Sequence, residues 1–296
     1  MKKPEKKFDR TSEDMGNIVG LEHVNICVPD QRLATLFYIT GLGLTRDPYL
    51  VTGVSNMWIN IGRNQMHLPT AEAQILRGTI GLVMPDLKSL LKRLEAMKKP
   101  LAGTRFGFKQ PKGKSYVEAT CPWGNRFRVH KADASFAPIS LGMPYVEFDV
   151  RPGAADPIAR FYRQMFGAPA DLVDQNGAPA ARVSVGLRQH LIFRESKGRE
   201  APYDRHHIQI YLANFSVPHA KLKHHGLLTQ ESSQHQYRFE NIVDLANGEP
   251  VFTIEHEVRS MTHPLYARAL VNRNPEQTNA SFTPGYEGRS WAAPVG

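Results

Sequence analysis

The sequence predicts an α+β fold in which a module of one strand, one helix and three returning strands occurs four times. Three observations support this prediction. Runs of alternating apolar and polar residues, typical of half-buried strands, recur along the chain. A proline follows the opening strand of three modules. The pair Phe37-Tyr38 also precedes Gly43 by the same distance at which Phe161-Tyr162 precedes Gly167. Repeats of roughly 50 residues in this arrangement indicate duplicated modules.

The first module opens with the strand around His23, and Pro29-Asp30 ends that strand and begins a helix that stops at Gly41-Leu42-Gly43. We predict its strands over residues 21–28, 56–61 and 65–69, with 45–54 as a further strand. In the second module, Pro85-Asp86 separates strand and helix, and the helix has apolar residues at i, i+3 and i+4. Its predicted elements are a helix over 87–97 and strands over 79–84, 103–108, 115–121 and 126–131.

The third module repeats this order, because Pro152-Gly153 follows its opening strand and the Phe161-Tyr162 helix comes next. We predict strands over 145–150, 182–185 and 189–193 and a helix over 159–167. The fourth module begins at His207, with strands predicted over 207–212, 237–243 and 251–258 and a helix over 217–225.

A segment rich in Ala, Ser and Pro divides these modules two by two. We therefore predict two tandem domains, each formed by two neighbouring modules. The predicted ranges are a disordered arm over 1–18, an N-terminal domain over 19–132, a linker over 133–142, a C-terminal domain over 143–260 and an extended tail over 261–296.

Bulk composition narrows the class of protein. The 296 residues are 41% hydrophobic and 22% charged, as in soluble globular proteins. No apolar run approaches the roughly 20 residues of a spanning helix, so we expect no membrane partner. The net charge of +9 comes without a nucleic-acid-binding motif, so nucleic acid is not expected as a partner. Two cysteines without CxxC spacing favour a reducing, cytoplasmic setting. The sequence leaves open whether the chain forms a homodimer.

Two strands carry residues suited to metal binding. His207 opens the strand of the fourth module, and Glu255 and Glu257 lie on one face of its last strand. An imidazole and a carboxylate that converge from two strands are a potential metal site.

Several short motifs resemble the vicinal oxygen chelate superfamily, which contains glyoxalase I, bleomycin-resistance proteins and extradiol dioxygenases. They are the strand His23-Val24-Asn25-Ile26, Phe37-Tyr38 before Gly43-Leu44, Gln65-Met66-His67-Leu68, and Pro122-Trp123-Gly124-Asn125-Arg126-Phe127. The resemblance covers residues 20 to about 260. It implies that each pair of modules forms a half-open, curled mixed sheet with helices outside. It also implies that the metal ligands come from the first and last strands of each module.

Carried onto this sequence, the resemblance implies two sets of ligand positions. The second pair of modules offers Tyr145, His190, His207 and Glu255. We predict that His190, His207 and Glu255 bind the metal, with Glu257 as the alternative carboxylate. The first pair offers His23, His67, Thr79 and His130, with Arg128 as the alternative for the last. Extradiol dioxygenases have a histidine where this chain has Tyr145.

The same resemblance suggests catalytic residues and a function. His235 and Tyr237 are predicted to transfer a proton and to steady a bound oxygen, with Tyr145 as a third catalytic residue. The predicted function is that of a metal-dependent enzyme, most like a two-domain extradiol-type dioxygenase acting on a small molecule. The expected cofactor is a divalent metal, Fe(II) first, with Mn, Zn or Ni as alternatives. A glyoxalase-like isomerase or lyase and a non-catalytic small-ligand-binding protein are the alternative functions.

Overall fold

The computed structural model describes residues 9–48, 50, 55–198, 201–268 and 270. Within these residues, sixteen strands form two mixed, open sheets of eight strands each, with four helices beside them. The predicted α+β fold with four modules is confirmed. The predicted arm at 1–18 and tail at 261–296 lie partly outside the described residues, which omit 1–8 and 271–296.

The first two modules have the predicted order of elements. Asp30 and Asp86 cap their helices by accepting hydrogen bonds from backbone N–H groups of the first turn. Module 1 contains β1 (Ile18–Asn25), α1 (Gln31–Ala34) with a π-helical continuation (Thr35–Gly41), β2 (Thr45–Arg46), β3 (Asn56–Ile61) and β4 (Asn64–Pro69). Module 2 contains β5 (Gly78–Met84), α2 (Leu87–Ala96), β6 (Gly107–Lys109), β7 (Tyr116–Thr120) and β8 (Arg126–Lys131).

The last two modules each contain one returning strand to which the sequence assigned no residue range. Module 3 contains β9 (Gly142–Val150), α3 (Ala155–Phe161) with a π-helical continuation (Tyr162–Phe166), β10 (Ala170–Asp174), β11 (Pro179–Gly186) and β12 (Gln189–Glu195). Module 4 contains β13 (His207–Leu212), α4 (Ser216–His224), β14 (Leu228–Ser233), β15 (Gln236–Val243) and β16 (Pro250–Ser260). The unpredicted strands, β10 and β14, are mostly exposed edge strands, so no apolar alternation marks them.

The modules do not pair in chain order, which corrects the predicted pairing. Sheet I has the order β14-β15-β16-β13-β1-β4-β3-β2 and joins module 4 to module 1. Sheet II has the order β10-β11-β12-β9-β5-β8-β7-β6 and joins module 3 to module 2. Each sheet therefore combines strands from both predicted domains, 19–132 and 143–260. The segment over 133–142 connects β8 to β9 inside sheet II rather than separating two sheets.

Close contact between the opening strands explains this pairing in sheet II. β5 and β9 run antiparallel, and a Cβ atom on Gly78 would lie 1.8 Å from the carbonyl oxygen of Glu147. A Cβ atom on Gly81 would lie 2.5 Å from the ring of Tyr145. Only glycine leaves room for β9 at these two positions. β1 and β13 pair antiparallel in the same way at the centre of sheet I.

Buried polar side chains fix the two sheets relative to each other. The Gln189 side chain of sheet II donates to the carbonyl oxygens of Leu21 and Met143, at 2.9 and 3.0 Å, and accepts from the Leu21 N–H at 3.1 Å. Asn64 of sheet I donates to the Leu21 carbonyl oxygen at 2.7 Å and accepts from the Met143 N–H of sheet II, also at 2.7 Å. Because these amides are buried and hydrogen-bonded, they set the register between sheets without an unsatisfied polar group. Among the described helices, none is long and apolar enough to cross a membrane.

Candidate metal centre

The centre of sheet I brings the opening strands of modules 1 and 4 together. β1 and β13 are antiparallel, with Asn25 opposite His207. β16 runs parallel to β13, with Glu255 beside His207 and Glu257 two residues further on. Because side chains two residues apart share a face of a strand, both glutamates project to the same side as His207.

Side chains from β1, β13 and β16 form a group that could hold a metal ion. One ligand atom from each of His23, His207 and Glu257 lies within 4.8 Å of the other two. All three residues are buried, and His23 is completely so. Two imidazoles and one carboxylate leave part of the coordination sphere of an ion open to a substrate.

Each of the two histidines is oriented by a glutamate other than Glu257. The Nδ1 atom of His23 lies 3.3 Å from Glu22 Oε2, and that of His207 lies 3.3 Å from Glu255 Oε1. Because a carboxylate can only accept, each Nδ1 carries the proton and each Nε2 presents a lone pair. Both Nε2 atoms are buried and have no hydrogen-bond partner among the described residues. Such orphaned lone pairs fit a metal ion, and a carboxylate behind a metal-binding histidine is a common arrangement in metalloproteins.

Burial keeps the histidines in the neutral form that metal binding requires. Desolvation lowers the pKa of His23 to about 3, although the Glu257 charge opposes the change. Desolvation also lowers the pKa of His207 well below its ordinary value, with His23 and Arg238 acting in the same direction. Burial raises the pKa values of Glu22 and Glu255, and the charges of Arg259 and Arg238, respectively, counteract this rise.

Two arginines neutralise the carboxylates of the site. Arg238 on β15 donates to Glu255 Oε1 and to Glu257 Oε2. Arg259 on β16 lies 2.5 Å from Glu257 Oε1 and 3.1 Å from Glu22 Oε2. These five side chains form a row of alternating charges, in which each arginine bridges two carboxylates. Compensation of this kind is what makes charged groups tolerable in a nearly buried position.

The last strand of module 1 does not offer a fourth ligand. Its His67 accepts from Asn25 Nδ2 at Nδ1, 2.6 Å away, and Nε2 donates to Asn56 Oδ1 at 2.8 Å. The ring also stacks on Trp58 at 3.9 Å, and burial lowers its pKa to about 2. Both ring nitrogens are thus engaged by amides. The neighbouring candidate, Gln65, donates to Asp47 Oδ2 at 2.7 Å. Among the described residues, the donor atoms that converge within 4.8 Å are those of His23, His207 and Glu257.

The structure separates the metal ligands that the sequence predicted. It brings His207 and Glu255 together but places His190 on β12 of sheet II, where the charges of Arg182 and Arg188 act on it. The first predicted set is divided in the same way. His23 and His67 lie in sheet I, whereas Thr79, His130 and Arg128 lie in sheet II. The cause is the pairing of module 1 with module 4, which replaces His190 by His23 beside His207.

The predicted catalytic residues lie away from the His23–His207–Glu257 group. Tyr145 belongs to sheet II, where its hydroxyl is 2.8 Å from His130 Nε2, and burial raises its pKa to about 12. Tyr237 is buried on the opposite face of β15 from Arg238, with its ring against Phe215. His235 lies in the turn before β15 and its Nδ1 atom is 3.2 Å from Thr262 Oγ1. Arg238, the neighbour of Tyr237, is the side chain that faces the site.

Sequence reasoning missed Glu22 and Arg259 as parts of this site. A signal for both is present in the chain: Glu255, Glu257 and Arg259 alternate along one strand face, and Glu22 directly precedes His23.

Comparison with known proteins supports the fold. No protein-family model matches the sequence, and no curated protein matches it. Among solved structures, one from Bacillus subtilis subsp. subtilis str. 168, described as a "putative dioxygenase", has a TM-score of 0.56 at 16% identity, covering 83% of this chain and 86% of the other. Glyoxalase I from Zea mays also has a TM-score of 0.56, at 12% identity, covering 85% and 94% of the two chains. The chain has the vicinal oxygen chelate fold. In terms of this fold, His23 and His207 lie on the opening strands of paired modules, and Glu257 lies on a closing strand.

Proposed function

We propose that the chain is a metal-dependent enzyme in which His23, His207 and Glu257 hold a divalent ion. The reaction class we favour is an extradiol-type dioxygenation of a small molecule that carries two adjacent oxygen atoms. One observation carries the proposal: two buried Nε2 atoms, which have no hydrogen-bond partner in the described part of the chain, lie close to a carboxylate, while the amides around His67 remove it as a fourth donor. The resemblance of the fold to a solved structure described as a dioxygenase agrees with this class.

The donor set favours Fe(II) over other ions. Two imidazoles and one carboxylate form the set used by non-haem Fe(II) oxygenases, which need open positions for substrate and oxygen. Mn, Zn and Ni are the alternatives. When bound, such an ion would polarise the oxygen atoms of the substrate and bring the reactants together.

The chain's own residues prepare the site for this chemistry. Glu22 and Glu255 hold the histidine rings with Nε2 toward Glu257. Arg238 has 20% of its side chain exposed, compared with 8% for Arg259, so it is the more accessible cation of the site. We propose that Arg238 balances the negative charge of a bound, deprotonated substrate. His67 is held neutral by its burial and its two amide partners. It therefore lines the site and does not transfer a proton to the substrate.

A glyoxalase-like isomerase or lyase is the second candidate, and one specific observation favours it. Glu255 is a second carboxylate on the same face as His207 and Glu257, and it could serve as a fourth oxygen donor for a redox-silent ion. The fold resemblance to glyoxalase I is compatible with this candidate. A non-catalytic binding protein would need no metal.

Metal analysis tests the site. Protein loaded anaerobically with Fe(II) should retain about one ion per chain, and His23→Ala, His207→Ala and Glu257→Ala should lose it. His190→Ala is the matched control, because this half-buried histidine likewise lies on a strand but belongs to sheet II. Retention of the ion by the His207→Ala variant would contradict the proposed site, and so would its loss in His190→Ala. Absence of a tightly held ion in the unmodified protein would favour the binding protein.

Oxygen uptake then separates the two enzyme classes. The Fe(II) protein, mixed with catechol-like compounds in an oxygen electrode, should consume oxygen in step with loss of the substrate. Metal binding without oxygen uptake, together with turnover of a hemithioacetal by the Zn or Ni protein, would favour the lyase.

A further inference from the structure

The segment that follows β16 turns back over sheet I. We call residues 261–268 and 270 the C-terminal strap. Its backbone makes short turns, with hydrogen bonds from the His263 N–H to the Ser260 carbonyl oxygen at 3.0 Å and from the Tyr266 N–H to the His263 carbonyl oxygen at 2.9 Å. Ala267 then has φ of 51°, a left-handed conformation that is unfavourable for a residue with a side chain. Such a conformation persists where surrounding contacts hold it.

A buried ion pair attaches the end of the strap to module 1. Arg268 lies 2.6 Å from Asp47 Oδ2, and the two side chains are 1% and 0% exposed. Arg268 also donates to Gln65 Oε1 at 3.2 Å. Loss of one member of a buried pair leaves the other charge desolvated and uncompensated, so this contact is costly to break.

Apolar and backbone contacts extend the attachment. Leu265 packs against the cluster of Leu50 and Trp58. The Tyr266 ring lies 4.8 Å from that of Tyr211 in an edge-on arrangement. Asn60 Nδ2 donates to the Leu270 carbonyl oxygen at 2.9 Å. The strap therefore lies along the strands β3, β4 and β13 on one face of sheet I.

The residues under the strap border the proposed metal centre. Trp58 stacks on His67 and meets the His23 ring edge-on at 5.0 Å. The Tyr211 hydroxyl donates to Glu22 Oε1 at 3.2 Å, and Glu22 orients His23. The contacts of the strap thus reach side chains that touch the His23 ring or its carboxylate partner.

From these contacts we infer that the C-terminal strap is a closure, which shuts the module 1 side of the metal centre and limits the access of ions and small molecules to it. The inference rests on the proposed function in so far as the covered site is a metal site. The strap is short, its Met261, Thr262, Pro264 and Ala267 residues are exposed, and much of its attachment depends on Arg268. Release of this one side chain would allow the strap to open while the sheet beneath stays folded.

Hydrogen exchange of the full chain tests whether Arg268 holds the strap. In Arg268→Gln, amide exchange over residues 262–268 should accelerate at least about a hundredfold, while exchange in β1 and β13 stays as in the unmodified protein. The double variant Asp47→Asn/Arg268→Gln removes both charges and should exchange more slowly than the single variant. Leu265→Ser loosens the strap without leaving a buried charge, and Arg63→Gln, in the exposed β3–β4 turn, is the control.

Access to the site is measured on the same variants in two ways. Acrylamide quenching of Trp58, with Trp123 and Trp291 replaced by Phe, should increase when the strap is loosened. Loss of bound Co(II) to a chelator should accelerate by a factor similar to that seen in hydrogen exchange. Unchanged strap exchange and Trp58 quenching in both Arg268→Gln and Leu265→Ser would overturn the closure, whatever the metal content. A protein that binds no Co(II) but shows the quenching change would keep the closure and overturn the metal centre.

Discussion

The Nδ1 atom of His207 lies 3.3 Å from Glu255 Oε1, so the opposite ring nitrogen is directed toward Glu257 Oε2, 3.6 Å away. One of the two glutamates on β16 therefore orients the histidine, and the other lies where a ligand would lie. His23 and Glu22 repeat this relationship on β1. The site contains two carboxylate–histidine pairs, and one ligand atom of each histidine lies within 4.8 Å of a Glu257 oxygen.

We predict that Glu255→Gln weakens metal binding without changing its stoichiometry. Loss of a carboxylate behind a metal-binding histidine typically lowers affinity by roughly 10- to 100-fold. Titration with Co(II) should show one ion per chain and a higher Kd. If the variant instead loses the ion entirely, Glu255 is itself a ligand, which would favour the four-donor, glyoxalase-like site. Glu195→Gln in sheet II is a matched control, because it should leave the Kd unchanged.

His67→Gln should keep the metal. Both nitrogens of His67 are already engaged, and a glutamine amide retains one donor and one acceptor for Asn25 and Asn56. Metal content should therefore equal that of the unmodified protein, in contrast to His23→Ala. Loss of the ion in His67→Gln would show that the ring swings into the site when the ion binds.

Arg238→Met should tighten metal binding and destabilise the metal-free chain. The substitution removes a positive charge beside Glu257, so a divalent ion no longer competes with a guanidinium, and affinity should rise by roughly tenfold or more. Without metal, Glu255 and Glu257 lose their shared partner, and chemical denaturation should give a lower free energy of unfolding. Arg194→Met is the control, because Arg194 likewise bridges Glu147 and Asp149, but in sheet II. Weaker metal binding in Arg238→Met would contradict this account.

Stability should fall as the pH decreases from about 6.5 toward 4, partly through His130 and His190. Burial lowers the pKa of each to about 4, below the roughly 6.5 of an unfolded chain. In this window the unfolded state binds more protons than the folded state, so acidification favours unfolding, and the stabilising difference is fully present above about pH 6.5. Urea denaturation at several pH values measures the slope.

The variants His130→Gln and His190→Gln should each have a shallower pH dependence of the unfolding free energy over this range. The carboxyl groups with raised pKa values, Glu22 and Glu255, act in the opposite direction and are present in every variant, so they cancel in the comparison. If both variants had the same slope as the unmodified protein, the assignment of this pH dependence to His130 and His190 would be contradicted.

The sequence was sufficient to predict the four modules and most of their strands. Alternation and breaker residues are local signals, and they mark β1, β5, β9 and β13 clearly. They do not reveal which opening strands pair, since each of these four carries the same kind of pattern. The partner of β5 depends on Gly78 and Gly81 lying against Glu147 and Tyr145, a contact between positions far apart in the chain.

The candidate site could be predicted only in part for the same reason. His207 and the two glutamates of β16 belong to one module, so their neighbourhood follows from local geometry. His23 lies in a different module, and only the β1–β13 ladder brings it to them. Strand alternation also places Glu255 and Glu257 on one face without deciding which of them orients His207.

The nested order of the modules has a consequence for how the chain is synthesised. β1 emerges from the ribosome first, yet its partner β13 follows about 180 residues later, whereas β5 and β9, both synthesised in between, pair over a much shorter stretch of chain. Sheet II can therefore form before module 4, the partner of module 1 in sheet I, has been synthesised. His23 acquires its neighbours His207 and Glu257 only after module 4 has been synthesised, so a chain that stops before module 4 would contain only His23 of the three.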